Sequence, residues 1–215
     1  MDNNSKLFIA IAAIIPTLLF FIPKIKTEKE GKKNLVQYGG MLNIYNQKLE
    51  KCGNEYMSNG SWDSNKKCSE LGGGVHQICV NKISKNAKNF SLKTGQSNWS
   101  DNRNNDNHCV CLGAWSLYVA KKKRKEKQIK KGILKCDAIP KISLSESYVS
   151  KFNEGWNKWN GNELDEQIKD GVEQLFDSCY TGEHKDELRK NYCDFAKSVP
   201  SLRKSSKFSK YCKNT

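Results

Sequence analysis

His108-Cys109-Val110-Cys111-Leu112-Gly113-Ala114-Trp115 is the stretch on which the reading of the fold turns. An imidazole and two thiols one residue apart are followed at once by an apolar run. The stretch marks where a loop-rich, cysteine-bearing region passes into helix. Helical segments are expected over Gln77–Asn89 and Leu112–Ala120. The rest of Asn34–Ala120 has weak periodicity, and Gly39-Gly40, Gly60 and Gly72-Gly73-Gly74 punctuate it, so short strands and loops are expected there.

Upstream, Gly74-Val75-His76-Gln77-Ile78-Cys79 repeats the combination of imidazole and thiol. The chain carries nine cysteines, Cys52, Cys68, Cys79, Cys109, Cys111, Cys136, Cys179, Cys193 and Cys212. That density is unusual for a reduced cytosolic protein and points to disulfides or a metal. The odd count leaves at least one thiol free or joins it to another chain.

Four readings stay open for the five in the core. Cys52, Cys68, Cys79, Cys109 and Cys111 form structural disulfides; or His76, Cys79, Cys109 and Cys111 hold a tetrahedral zinc ion; or Cys109-x-Cys111 is redox-active; or the thiols are reduced and simply packed. The Cys-x-Cys gap is tighter than a zinc knuckle and has no second matching pair. No thioredoxin-like context surrounds it. Zinc is the one cofactor that the residues suggest.

The sequence has no phosphate-binding glycine loop, no nucleophile elbow and no His-Glu-x-x-His. Asp165-Glu166 reads as a solvated helix face. No residue is therefore assigned a catalytic role, and a non-enzymatic protein is expected.

Downstream of Ala120 comes a basic run, Lys121-Lys122-Lys123-Arg124-Lys125-Glu126-Lys127-Gln128-Ile129-Lys130-Lys131. With a net charge of +14 over the whole chain, it suits polyanions: lipid headgroups, an acidic protein surface or nucleic acid. A solvated loop is the plain alternative.

Beyond the run the pattern is helical. Ser143 and Glu146 make a capping box before Val149, Phe152, Trp156 and Trp159, with the two tryptophans as core anchors. A second helix places Leu164, Ile168, Val172, Leu175, Phe176 and Cys179 on one side. A third runs from about Glu183 to Val199, with Leu188, Tyr192, Phe195 and Val199 apolar, and Pro200 stops it. The tail from Ser201 is expected to be mobile or to drape over a partner.

At the other end, Leu7-Phe8-Ile9-Ala10-Ile11-Ala12-Ala13-Ile14-Ile15-Pro16-Thr17-Leu18-Leu19-Phe20-Phe21-Ile22 holds no charge. As a helix it spans roughly 24 Å, close to a hydrocarbon core of about 30 Å. It reads as a membrane anchor; Phe21-Ile22-Pro23-Lys24 offers no small-x-small cleavage site. Lys24, Lys26, Lys29, Lys32 and Lys33 outweigh Lys6 across it, which places the body on the cytoplasmic side.

Four islands in order resemble domain-of-unknown-function family 2237: Asn43-Ile44 with Leu49 and Cys52; Gly60-Ser61-Trp62 leading to Cys68; Gly74, His76 and Cys79; and Cys109-Val110-Cys111 with Trp115. Phe90-Ser91 and Gly95 fit between the last two. His108 departs from the pattern, where an aromatic residue is usual. The family has no settled activity, so no catalytic residue carries over. The region Cys136–Cys179 is similar to the version found in large DNA viruses of algae.

That resemblance implies a minor capsid protein that ties the virion's inner membrane to its shell. The partners it implies are lipid and the major and other minor capsid proteins. The body would lie on the shell-facing, cytoplasm-derived side of that membrane, in a virus that encodes its own thiol oxidase. The alternatives are a membrane-tethered enzyme using His76, Cys109 and Cys111, and a membrane-bound nucleic-acid binder.

The expected architecture is α+β. An anchor and linker (1–33) precede a small loop-rich cysteine domain (34–142) and a helical region with a basic tail (143–215).

Overall fold

The structure, a computed structural model, describes residues 42–68, 76–123, 132–145 and 164–213. They form an α+β, cysteine-rich body. The expected anchor Leu7–Ile22, residues 124–131 of the basic run and the helix with Val149, Phe152, Trp156 and Trp159 lie outside the described residues. Among the described residues no helix is long and apolar enough to cross a membrane.

The centre of the body is a two-stranded antiparallel ribbon. Strand β1 (Ile78–Val80) pairs with β2 (His108–Val110), with Ile78 opposite Val110, Cys79 opposite Cys109 and Val80 opposite His108. Every residue of both strands is buried. Alternation along a strand puts Cys79 and Cys109 on one face and the other four side chains on the opposite face.

The helix expected over Gln77–Asn89 is thus corrected. Its first part is β1, because Ile78-Cys79-Val80 has branched side chains suited to a buried strand and finds a partner ladder. Only Ile83–Asn86 (α1) is helical there, followed by α2 (Phe90–Lys93). The ribbon is widened by backbone bonds from Lys135 N to the Cys79 carbonyl (3.0 Å) and from Cys109 N to the Gly60 carbonyl (2.7 Å).

The helix expected over Leu112–Ala120 is present and longer, α3 (Leu112–Lys123). It is apolar on nearly every side: Leu112, Ala114, Trp115, Leu117, Tyr118, Val119 and Ala120 are all buried. A helix with no polar face belongs inside a core. Against it lies α4 (Leu164–Cys179), burying Ile168, Val172, Leu175, Phe176 and Cys179 as its periodicity predicts. The two cross where Gly171 meets Ser116. A Cβ on Gly171 would stand 2.7 Å from the Ser116 Cα and Cβ. Trp115 Nε1 donates to the Gly171 carbonyl at 3.2 Å across the same contact.

Helix α5 (Lys185–Ser198) turns Leu188, Tyr192, Cys193 and Phe195 inward. The ring of Phe176 has Tyr192, Tyr180 and Tyr211 around it, with centroids 4.5, 4.7 and 5.1 Å away.

The tail, expected to be mobile or to drape over a partner, instead folds back onto the body as two short helices. Pro200 ends α5 but opens α6 (Pro200–Arg203) in the first turn, where its missing N–H costs nothing. Ser205 caps α7 (Ser206–Tyr211), its side chain accepting from Phe208 N. Cys212 is buried and bonded to Cys193.

One apolar cluster runs through the body from Ile44 to Cys212, across the expected boundary at 142/143. The segment 42–50 clasps both parts. Ile44 N donates to the Ile139 carbonyl (3.0 Å), Tyr45 Oη to the Cys179 carbonyl (2.7 Å), and Asn191 Nδ2 to the Ile44 carbonyl (2.9 Å). Ser143, expected in a capping box, lies in a 3-10 turn (Lys141–Leu144) and donates to the Pro140 carbonyl at 2.8 Å.

Candidate functional site

The two faces of the ribbon carry different chemistry. On the cysteine face, Cys79 is bonded to Cys52 and Cys109 to Cys68. Two further disulfides, Cys136–Cys179 and Cys193–Cys212, serve the helical part. Eight of the nine cysteines are therefore paired. Cys111, expected among the disulfide candidates, is the exception and is a free, half-buried thiol. It stands where β2 gives way to α3, and Ala114 N donates to its Sγ at 3.3 Å. Burial pushes this thiol up to about 11, so it is protonated and a poor nucleophile at neutral pH.

The zinc set His76, Cys79, Cys109 and Cys111 is not assembled. In this oxidised form two of its four members are tied into separate disulfides, so their sulfurs have no thiolate to offer.

On the other side lies a cavity of about 260 Å³, bordered by Ser61, His76, Trp99, Arg103, His108 and Cys111 among others. His108 is 5% exposed. Its Nε2 shares a hydrogen bond with Ser61 Oγ at 3.1 Å, and Nδ1 has no protein partner. Burial, with Arg103 and His76 nearby, lowers its pKa to about 3. The imidazole is thus neutral throughout the physiological range and acts as a hydrogen-bonding group, not a cation.

Trp99 covers it, ring centroids 4.4 Å apart, and the Arg103 guanidinium sits 5.7 Å over the Trp99 ring. Arg103 is held by Ser58 Oγ (3.1 Å) and by the Asn59 carbonyl. Trp99 Nε1 donates to Gln96 Oε1 at 2.9 Å. Ser61 is placed by a left-handed backbone (φ 57°) and by its N–H donating to Asn59 Oδ1. The result is an aromatic-walled cleft lined by one guanidinium, Arg103, and by the two imidazoles.

His76 and His108 thus reach one cleft, with Cys111 beside them and Cys109 contributing only as part of a disulfide. Sequence reasoning missed Trp99, Arg103 and Gln96. They lie in an Asn- and Ser-rich loop with no periodicity, and the isolated aromatic at Trp99 is the one signal there. Ser61 was visible only inside the Gly60-Ser61-Trp62 island.

Of the basic run, Lys121, Lys122 and Lys123 close α3. Lys121 Nζ donates to the Lys93 carbonyl at 2.7 Å, and Lys122 Nζ lies 5.7 Å over the Tyr118 ring. Arg124, Lys125, Lys127, Lys130 and Lys131 lie outside the described residues. No protein-family model matches the sequence, and no curated protein or solved structure matches it either.

Proposed function

We propose that this chain is a structural tether, a minor capsid protein of a large DNA virus. Leu7–Ile22 anchors it in the inner membrane, and its body docks on major and other minor capsid proteins of the shell. The observation that supports this reading best is the covalent cross-linking of the body. Four disulfides with sequence separations of 27, 41, 43 and 19 residues close the chain over residues 52–109, 136–179 and 193–212. Such stapling suits a part whose task is to hold position.

The +14 charge suits contact with anionic headgroups or an acidic shell surface. The enzymatic alternative has less support. Cys109 is in a disulfide and the Cys111 thiol is pushed up, so thiol chemistry has no ready nucleophile. The nucleic-acid alternative rests on charge alone.

The test is quantitative mass spectrometry of purified particles, with cross-linking. The tether reading expects the chain at a fixed ratio to shell proteins, cross-linked to them, and retained with membrane after an alkaline carbonate wash. Absence from particles, or release by the wash, would overturn it. Cross-links to genome alone would favour the nucleic-acid reading.

A further inference from the structure

The sulfurs of Cys52, Cys68 and Cys79 lie within 4.8 Å of one another, although they belong to two different disulfides. Cys109 joins the group through its bond to Cys68 and stands opposite Cys79 in the ribbon. Four sulfurs on three separate segments therefore share one buried place, each residue at most 1% exposed. We propose that in the reduced chain Cys52, Cys68, Cys79 and Cys109 hold one zinc ion. The two disulfides and the zinc tetrathiolate are then alternative staples of the same fold.

The geometry carries the idea. Tetrahedral zinc with Zn–S of about 2.3 Å sets its sulfurs about 3.8 Å apart. Cys52 and Cys79 are bonded, so their sulfurs part to reach that spacing on reduction, and Cys68 Sγ lies within 4.8 Å of both; side-chain rotations then complete the site. The Cα atoms of the two bonded pairs are 5.8 and 5.5 Å apart, which leaves the backbone in place. A buried tetrathiolate carries two negative charges, which the net charge of +14 over the chain offsets at long range. The set differs from His76, Cys79, Cys109 and Cys111: it uses no imidazole and leaves Cys111 out.

The chemistry balances. Two equivalents of a dithiol reductant supply four electrons and four protons, cleaving both S–S bonds to four thiols. Zinc binding releases four protons as four thiolates coordinate. In reverse, two equivalents of a disulfide oxidant accept four electrons from the thiolates. Both S–S bonds re-form and Zn²⁺ leaves. The charge bias around Leu7–Ile22 places the body where thiols stay reduced. A zinc staple lets the ribbon fold there before oxidation.

The experiment uses the full chain in detergent, reduced anaerobically with dithiothreitol, given Zn²⁺ and desalted. The expected result is one zinc per chain. X-ray absorption should show a shell of four sulfurs at about 2.3 Å. His76→Ala and Cys111→Ala should leave that shell unchanged, and oxidised glutathione should release the metal. Cys52→Ser should weaken zinc binding by at least about tenfold, the loss seen even for outer-shell partners of a metal site. No retained zinc, a shell containing nitrogen, or loss of zinc in Cys193→Ala/Cys212→Ala would overturn the proposal. The wild-type shell decides the matter even if Cys52→Ser does not fold.

Discussion

Between Leu42 and Val110 the described chain makes two strands of three residues and two helices of four. Between Leu164 and Tyr211 it makes helices of sixteen, fourteen, four and six residues. The helical region has apolar side chains at helical spacing and contributes Phe176 and its surrounding tyrosines to the shared core. The ribbon region has few such runs. It buries Ile78, Val80, Ile83 and Phe90 along with two disulfides, its loops held by single polar contacts such as Asn107 Nδ2 to the Cys52 carbonyl (2.6 Å). One region is stabilised mainly by burial of apolar surface. The other depends on covalent closure of its loops, as expected where regular structure is too short to be stable alone.

The largest effect should come from removing the staples of the ribbon. Cys68→Ala/Cys109→Ala opens a loop with a separation of 41 residues, and should cost roughly 3–4 kcal/mol in the chain-entropy model. Hydrogen exchange should show protection lost across β1, β2 and residues 52–68. The matching pair Cys193→Ala/Cys212→Ala should confine the loss to α6 and α7. Equal, global loss in both would erase the distinction between the regions.

A second break targets the helical region where it packs on α3. Gly171→Ala adds a methyl group against the Ser116 backbone. Overpacking of this kind costs about 1–3 kcal/mol, which outweighs the gain of about 1 kcal/mol from helix propensity. A denaturant midpoint at or above wild type would show that α3 and α4 can move apart freely.

The third prediction concerns pH. His108 is held near 3 in the fold, whereas an unfolded histidine titrates near 6.5. Below about 6.5 the unfolded chain takes up a proton that the folded chain refuses. Stability is therefore complete above that point and falls by roughly 1.4 kcal/mol per pH unit as pH drops from 6.5 towards 3. His108→Asn should flatten that part of the stability curve, measured by unfolding at fixed ionic strength. Parallel curves for the two proteins would contradict it.

The smallest effect belongs to Cys111. Intact mass after alkylation without reductant should show no label on the native chain and one on the unfolded chain. Cys111→Ala should shift stability by less than about 1 kcal/mol. Four or more labels on unreduced, unfolded protein would mean that the disulfides are absent.

Legibility divides along the same line. The stripes Ile168-Val172-Leu175-Phe176 and Leu188-Tyr192-Phe195 were readable because a helix imposes its own period on the sequence. The tail was misread because Pro200 stops one helix and starts another, and because Cys212 draws it back into the core. Ile78-Cys79-Val80 was misread as helix because three residues carry no period. Their state is set by a partner thirty residues away. Disulfides were foreseeable from the cysteine count, but their pairing is a property of three dimensions. The cleft at His108 was half visible through its histidines. Trp99 and Arg103 reach it through a loop whose path no local rule dictates.

The clasp at 42–50 has a mechanical meaning if Leu7–Ile22 anchors the chain as proposed. A pull arriving from the N-terminal side at this clasp would load the bonds from Ile44, Tyr45 and Asn191 together. If these gave way, only the few residues up to Cys52 would pay out before the pull met the first cross-link. From there the shortest covalent route to Cys212 passes through Cys68–Cys109, Cys136–Cys179 and Cys193–Cys212, bypassing most of the chain. The body would behave under force as a short leash with a hard stop.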